Sequence, residues 1–206
     1  MALTLDRAAG ALFDAAGRRF DPAVRFWREG FAPRGEVVAV EAAARWLQTE
    51  TPHRVRAPIA VVGPREPTAV QSAAAEALGT GLARLGVTVL CGGMGGVMEA
   101  TCRGVEAAGG LSIGLLPAEH WSAGNAHVSV PIATGIGVAR NAIIARAAFC
   151  LIAVGGGYGT LSEVAFGLQF GRPVFGLAGA PEVAGLLHLP GPEAALTAVA
   201  ERLLAL

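Results

Sequence analysis

The feature that most constrains the fold is a repeated alternation of apolar run, glycine-bearing turn and helix-like segment, which starts at Pro58. Nearly continuous apolar runs are typical of parallel strands that are buried on both faces. The predicted strands are Ile59–Gly63, Val87–Cys91, Leu111–Leu116, His127–Ala133, Phe149–Val154 and Pro173–Ala178. The predicted helices are Thr68–Leu85, Val97–Ala108, Val138–Ala147, Thr160–Gln169 and Glu193–Leu206. The alternation predicts an α/β fold with a doubly wound, mostly parallel sheet, whose ligands bind at the carboxyl ends of the strands.

The first 57 residues have a different pattern. Ala11–Asp21 predicts two short strands around an Ala-Gly turn, and Glu36–Glu50 has the spacing of an amphipathic helix. We therefore predict a small β-ribbon-plus-helix appendage over residues 1–57, a polar linker at Thr51–Pro58, and a main domain over 58–206. The appendage either packs on the main domain or offers a partner an apolar surface made by Phe26, Trp27, Phe31 and Trp46.

Composition excludes several classes of protein. The chain is 53% hydrophobic with zero formal net charge, so it has a large core and no long-range field that favours nucleic acid or an anionic membrane. No apolar segment is long and uniform enough to predict a membrane span. The three cysteines (Cys91, Cys102 and Cys150) form no CxxC pair, which predicts reduced, buried thiols in a cytoplasmic protein. The four histidines do not have metal-ligand spacing, so no metal site is predicted.

All 16 basic residues are arginine, and the chain has no lysine. This excludes pyridoxal phosphate held on a lysine of this chain, and it excludes a Walker A phosphate loop. A dinucleotide fingerprint is also incomplete, because Met98 and Ser162 stand where a third glycine is needed. The main domain has no aspartate for a ribose diol, so NAD or NADP binding is disfavoured.

Four glycine-bearing turns are candidates for a ligand site: Gly63–Thr68, Cys91–Glu99, Thr134–Asn141 and Gly155–Glu163. Turns that follow parallel strands converge on one crevice, and glycine lets the backbone approach a ligand closely. The glycine cluster at Gly155 also opens a helix, and a helix N-terminus attracts phosphate. The predicted ligand-binding residues are Gly63, Gly92, Gly93, Gly95, Gly96, Arg140, Asn141, Gly155, Gly156, Gly157, Gly159 and Thr160.

Several side chains allow two interpretations each. Thr160 and Glu163 fit a capping box, with Thr160 as the N-cap, but Glu163 would equally face the cavity as a general acid or base or as a ribose ligand. Arg140 is either a phosphate clamp or a surface arginine, and Arg65 has the same two interpretations. Glu99 either lies in the crevice or pairs with Arg103 four residues later.

The segments CGGMGGVMEA, TGIGVARN and VGGGYGTLSE together resemble the LOG-like Rossmann superfamily, whose members were often mislabelled lysine decarboxylases. The resemblance covers Ile59 to Ala178. It implies a Rossmann-like fold, a homodimer, and the phosphate of a nucleotide or cofactor held at the GGGxGT turn.

Two branches of that superfamily differ at the site. The lonely-guy phosphoribohydrolases carry PGGxGTxxE and an upstream Arg-Lys pair, whereas this chain has Gly155 in place of the proline and Asn141 after Arg140. The chain resembles the molybdenum-cofactor carrier branch more closely. The leading hypothesis is therefore a carrier that needs no resident cofactor and binds a nucleotide or a molybdenum cofactor. The alternative is hydrolysis of a nucleoside 5′-monophosphate, for which the resemblance implies Glu163 and Arg140 as the catalytic residues.

Overall fold

The computed structural model describes residues 2–30, 35–52 and 56–206. Contacts between Cα atoms group these residues into two compact units. One unit consists of the described residues up to Arg56 together with Leu196–Leu206, and the other is Ala57–Ala195. Residues 53–55 of the predicted linker lie outside the described residues.

The larger unit is built on a sheet of seven parallel strands. The strands are β6 (Pro58–Val62), β7 (Thr88–Cys91), β8 (Leu111–Leu116), β9 (Val130–Ala133), β10 (Cys150–Val154), β11 (Val174–Leu177) and β12 (Leu187–His188). The helices are α2 (Ala69–Arg84), α3 (Val97–Ala107), α4 (Arg140–Ala147), α5 (Tyr158–Gln169) and α6 (Pro192–Leu203), the last of which continues into the smaller unit. The predicted doubly wound α/β fold is confirmed.

The strand order explains where a crevice forms. The sheet runs β12-β11-β10-β6-β7-β8-β9, so the chain leaves β6 on one side and returns to its other side at β10. All residues of β10 are buried, and Val62, Leu151, Ile144 and Val164 belong to one core cluster that joins the sheet to α4 and α5. A reversal of winding direction of this kind leaves a crevice at the carboxyl ends of the two central strands.

The helices α2 and α3 touch backbone to backbone through two glycines. A Cβ on Gly79 would lie 2.1 Å from the carbonyl oxygen of Thr101, and a Cβ on Gly104 would lie 2.1 Å from that of Glu76. The close approach therefore depends on the absence of a side chain at both positions.

Several predicted bounds differ from the structure. The predicted strand at His127 starts only at Val130, and residues Gly137–Ala139 form a 3₁₀ turn before α4. The edge strand β12 was not predicted, because a strand of two residues is too short for its pattern to be recognised. The predicted helix at Glu36 begins later, because Glu36–Val38 pairs with the first strand of the smaller unit.

The smaller unit contains an antiparallel sheet of five strands in the order β4-β3-β2-β1-β5, and the helix α1 (Val40–Thr49). Its strands are β1 (Leu3–Asp6), β2 (Ala11–Phe13), β3 (Arg19–Asp21), β4 (Phe26–Arg28) and β5 (Glu36–Val38). The end of the chain joins this unit: Trp27 Nε1 donates to the carbonyl oxygen of Leu204 at 2.8 Å, and Thr197 Oγ1 donates to Glu41 Oε1 at 2.5 Å.

The aromatic residues of this unit do not form the apolar surface that one interpretation required. Trp27 and Trp46 are buried, so that interpretation is wrong for both of them, and only Phe26 is exposed. Phe31 lies outside the described residues. Among the described helices, none is long and apolar enough to cross a membrane.

Candidate functional site

A cavity of about 210 Å³ lies at the crevice between the ends of β6 and β10. All four predicted turns contribute to it: the one after β6, the one between β7 and α3 through Met98, the one before α4 and the one that opens α5. The lining residues are Gly63, Pro64, Arg65, Met98, Val138, Arg140, Asn141, Gly157, Gly159, Thr160 and Glu163. Seven predicted site residues therefore meet at one cavity: Gly63, Arg140, Asn141, Gly157, Gly159, Thr160 and Glu163.

The turn after β6 depends on its glycine. A Cβ on Gly63 would lie 2.6 Å from the carbonyl oxygen of Val154 and 2.6 Å from Val97 Cγ1. Only glycine lets the ends of β6 and β10 come this close. A capping box of Thr68 and Gln71 then starts α2, and Gln71 Nε2 donates to the carbonyl oxygen of Ala178 at 3.0 Å. These contacts fix the turn that carries Pro64 and Arg65.

Arg140 is buried rather than a surface arginine, with 7% of its area exposed. Its Nη1 lies 3.2 Å from Glu163 Oε1 and also donates to Asn141 Oδ1. A Cβ on Gly92 would lie 2.5 Å from Arg140 Nη2, so the missing side chain of Gly92 makes room for the guanidinium. Asn141 in turn donates from Nδ2 to Ser162 Oγ at 2.8 Å. The Arg-Asn pair is thus held between the β7 turn and α5.

Glu163 faces Arg140 and the cavity, so the capping-box interpretation is wrong. The helix α5 begins at Tyr158, two residues earlier than predicted, and its N-cap Gly157 makes no side-chain capping bond. Burial raises the pKa of the Glu163 carboxyl to about 7, although the charge of Arg140 and the hydrogen bond from it act in the opposite direction. A carboxyl with a pKa near neutrality can hold or release a proton at the pH of a cell.

Hydrogen-bonding capacity remains unused on the wall of this cavity. Thr160 Oγ1 and Arg140 Nε are both buried and have no hydrogen-bond partner among the described residues. A buried polar atom without a partner costs free energy unless a ligand or water completes it. The first turn of α5 adds backbone N–H groups, since Gly157, Gly159 and Thr160 line the cavity and no side chain caps the helix. This combination suits an anion.

The charges lining the cavity are predominantly positive. Arg65 and Arg140 contribute two guanidinium groups, whereas Glu163 is the single acidic side chain of the lining. Because the pKa of Glu163 is raised, this carboxyl is partly protonated at neutral pH and offsets less than one positive charge. The cavity therefore favours a ligand with negative charge.

The remaining predicted glycines do not line the cavity, and they shape the turns around it. Gly93 and Gly155 have φ of 67° and 65°, a conformation that glycine adopts without strain. Gly96 (φ 74°) packs against the carbonyl oxygen of Arg65. Gly156 lies against the ring of Pro181, and the position of a Cβ on Gly95 is 3.6 Å from Glu99 Oε2.

Two lining residues, Pro64 and Val138, were not singled out by the sequence. The Gly63-Pro64-Arg65 order after β6 was a usable signal for Pro64, whereas nothing in the pattern distinguished Val138. Glu99 does not line the cavity, and Arg103, its alternative partner, donates from Nη2 to Glu76 Oε2 at 2.7 Å.

A second cavity, of about 370 Å³, lies in the smaller unit. Its lining includes Arg19, Asp21, Arg28 and Glu29, and Arg28 Nε pairs with Asp21 Oδ2 at 3.1 Å. None of the glycine turns contributes to it. Within the described ranges, no group of three or more histidine, cysteine, aspartate or glutamate side chains is arranged to hold a metal ion.

Known proteins resemble this chain over about two thirds to three quarters of its length. An uncharacterized protein of Archaeoglobus fulgidus is 38% identical over 138 residues, which cover 67% of this chain and 91% of that protein. The molybdenum cofactor binding protein of Rippkaea orientalis is 32% identical with a TM-score of 0.67, over 70% of this chain and 96% of its own. The molybdenum cofactor carrier protein of Chlamydomonas reinhardtii is 34% identical with a TM-score of 0.66, over 73% of this chain and 100% of its own.

These similarities agree with the resemblance found in the glycine turns, and in particular with its molybdenum-cofactor carrier branch. The model of the SLOG cluster4 family matches residues 56–198, which include every residue that lines the cavity. This chain belongs to the SLOG cluster4 family.

Proposed function

We propose that this chain is a carrier that binds a phosphate-bearing ligand, a nucleotide or a molybdenum cofactor, with its phosphate in the cavity between β6 and β10. The observation that carries the proposal is the meeting of an uncapped helix N-terminus, a buried arginine and a partnerless threonine hydroxyl at one small cavity. Phosphate oxygens accept hydrogen bonds from all three kinds of donor. The similarity to molybdenum cofactor carrier and binding proteins supports the carrier role.

The size of the cavity limits how the ligand sits. A volume of about 210 Å³ is below the roughly 300–1,000 Å³ of a site that encloses a whole drug-sized ligand. The phosphate end of the ligand would occupy the cavity, and the base or pterin would extend along Arg65 and Val138 at its mouth.

Calorimetric titration of the full chain with AMP, GMP and molybdenum cofactor tests this proposal. We expect at least one of them to bind, and Arg140→Ala to weaken binding about 10- to 100-fold, since a hydrogen bond to a charged group contributes about 1.5–3 kcal/mol. Arg202→Ala, which removes an exposed arginine of α6, is the control and should bind as the wild type does. Absence of binding, or equal weakening by both substitutions, would refute the proposal.

A second candidate function is hydrolysis of the N-glycosidic bond of a nucleoside 5′-monophosphate. The observation that favours it is the Glu163 carboxyl, which is buried beside Arg140 and has a pKa raised to about 7. Such a group could relay a proton or stabilise an oxocarbenium-like ribose, while Arg140 holds the phosphate.

Chromatographic detection of free base after incubation with AMP separates the two functions. If the chain is a hydrolase, the wild type releases base, and Glu163→Gln binds AMP without releasing base. If it is a carrier, both proteins bind the ligand and neither releases base above the rate without protein.

We also propose that the chain forms a homodimer in the cytoplasm. The three cysteines are buried and form no disulfide, which is consistent with a reducing compartment. Large apolar side chains are exposed on the packed helices α4 and α5, namely Ile143, Tyr158, Leu161 and Phe166, and a second copy of the chain would cover them.

A further inference from the structure

Four sulfur-bearing side chains gather behind the cavity. Cys91 ends β7, Met98 and Cys102 lie on α3, and all three are buried in one cluster against which Met94 packs. The chain has three cysteines and three methionines in total, so two thirds of them meet at this place. Thiolate and thioether sulfurs are also the donors that soft metal ions select, so this cluster is a candidate metal site.

The two cysteine sulfurs are close enough to share one ion. Cys91 Sγ and Cys102 Sγ lie 3.6 Å apart, and both are thiols rather than a disulfide. Two sulfurs that bind one metal at about 2.3 Å are separated by roughly 3.7 Å at a tetrahedral angle and farther at wider angles. A metal ion would therefore require only a small movement of either side chain.

Each of the two cysteine sulfurs accepts a hydrogen bond from a neighbouring group. The backbone N–H of Gly93 donates to Cys91 Sγ at 3.3 Å, and Asn125 Nδ2 donates to Cys102 Sγ at 3.8 Å. Both donors could stay in place on metal-bound thiolates, and binding of a cation would release the thiol protons.

We propose that Cys91 and Cys102 bind one Cu(I) ion as thiolates, with a thioether of Met98 or Met94 completing the coordination. Thiolate and thioether sulfurs are the donors that select Cu(I), whereas zinc is almost always held by four nitrogen, oxygen or thiolate ligands. The described residues offer no third cysteine, histidine, aspartate or glutamate arranged as a ligand of the same ion. His127 Nδ1 instead lies 2.7 Å from Glu106 Oε2.

The loop after β8 packs over the cluster. The backbone N–H of Asn125 donates to the carbonyl oxygen of Gly93 at 2.9 Å. The side-chain Nδ2 of Asn125 donates to the carbonyl oxygen of Met94 at 3.0 Å. Met94 is only half-buried at the edge of this cover. Buried thiolates behind a half-exposed methionine suit transfer of a soft cation from solvent into a buried site.

The test uses the reduced full chain under anaerobic conditions, titrated with Cu(I) supplied as its acetonitrile complex against the chromophoric chelator bathocuproine disulfonate. We expect one Cu(I) per chain to be withdrawn from the chelator, and X-ray absorption to show sulfur as the only ligand atom. Zn(II), titrated against a zinc chelator of similar strength, should not be retained.

Matched variants assign the site. Cys91→Ser and Cys102→Ser should each lower the affinity for Cu(I) at least 100-fold, whereas Cys150→Ser, which changes a buried cysteine of β10, should retain it. Met98→Leu keeps the side-chain volume and should weaken binding about tenfold. Circular dichroism verifies the fold of each variant.

Three outcomes would overturn the assignment. They are no retention of Cu(I) by the wild type, retention by folded Cys91→Ser and Cys102→Ser equal to that of the wild type, and binding of zinc as tight as that of copper. If the cysteine variants do not fold, the absorption spectrum of the wild-type complex decides, because nitrogen or oxygen ligands would contradict a sulfur site.

Discussion

At the scale of single residues, the site consists of a buried arginine and a carboxyl that is costly to ionise. Arg140 and Glu163 are 7% and 5% exposed, and their nearest charged atoms are 3.2 Å apart. The sequence supplied both residues as candidates but left the direction of Glu163 open. The start of α5 at Tyr158 decided it, because Thr160 then falls inside the helix instead of at its N-cap.

We expect the stability of the wild type to fall as the pH rises from 4.5 to 7. The pKa of Glu163 is raised from 4.5 in the unfolded chain to about 7 in the folded one, so over this range the folded state keeps a proton that the unfolded state has lost. At 1.36 kcal/mol per pKa unit, the free energy of unfolding should decrease by about 3 kcal/mol relative to Glu163→Gln, which does not titrate.

Urea denaturation of both proteins at pH 4.5, 6 and 7.5 measures this difference. Glu201→Gln, which replaces an exposed carboxylate of α6, is the control and should follow the wild-type curve. Parallel pH dependences of wild type and Glu163→Gln would contradict the prediction.

A second prediction at this scale concerns the hydroxyl of Thr160. Its Oγ1 is buried and has no partner among the described residues, so Thr160→Val replaces an unsatisfied polar atom with a methyl group of similar shape. We expect the unliganded protein to become more stable by about 1 kcal/mol, and phosphate-ligand binding to weaken about tenfold. Thermal unfolding and calorimetry measure the two effects, and a lower unfolding temperature would contradict the explanation.

At the scale of elements, the turns and helix contacts depend on glycines. The sequence identifies these glycines but not the structural role of each. All four glycine turns drew attention because they follow strands. In the structure, Gly63 and Gly92 have no side chain where neighbouring groups need the space, whereas Gly93 and Gly155 adopt positive φ. Which of these roles a glycine has depends on atoms that are distant in the chain, so the sequence alone does not distinguish them.

We expect Gly104→Ala to destabilise the protein by about 2–3 kcal/mol. The new Cβ would lie 2.1 Å from the carbonyl oxygen of Glu76 and 2.9 Å from the backbone nitrogen of Thr80, so α2 and α3 would have to separate. Denaturant unfolding measures the loss. Gly159→Ala is the matched control, since this helical glycine has no atom within 4 Å of the added Cβ and alanine favours helix. Equal effects of the two substitutions would contradict the packing argument.

At the scale of the whole molecule, the reversal of strand order at β6 and β10 sets the position of the cavity. The division of the chain at residues 57 and 58 stays a prediction about independent domains. The contacts of residues 196–206 belong with the amino-terminal unit, whereas the prediction assigned them to the main domain. Helical spacing identifies a helix at the end of the chain but does not tell which sheet it joins.

A prediction at this scale follows from the exposed apolar residues of α4 and α5. Sedimentation velocity should give about 42 kDa, twice the 20.8 kDa of one chain. Phe166→Arg, which places a charge among these residues, should shift the protein toward the monomer. Val70→Arg changes an equally apolar but separate position on α2, 72% exposed, and should leave the mass unchanged. A wild-type monomer would contradict the proposed homodimer.

The sequence by itself determined the α/β class, the parallel sheet and the turns at which ligand-binding residues stand, because buried strands and glycine turns are local patterns. Only the tertiary structure decided that Glu163 faces Arg140, that Gly92 makes room for the guanidinium, and that Cys91 meets Cys102. Each of these depends on a distance across elements, and no spacing along the chain encodes how two helices and a strand approach each other. The physical reason is packing. Burial brings groups together, and their proximity then sets their pKa values and decides which donors and acceptors lack a partner.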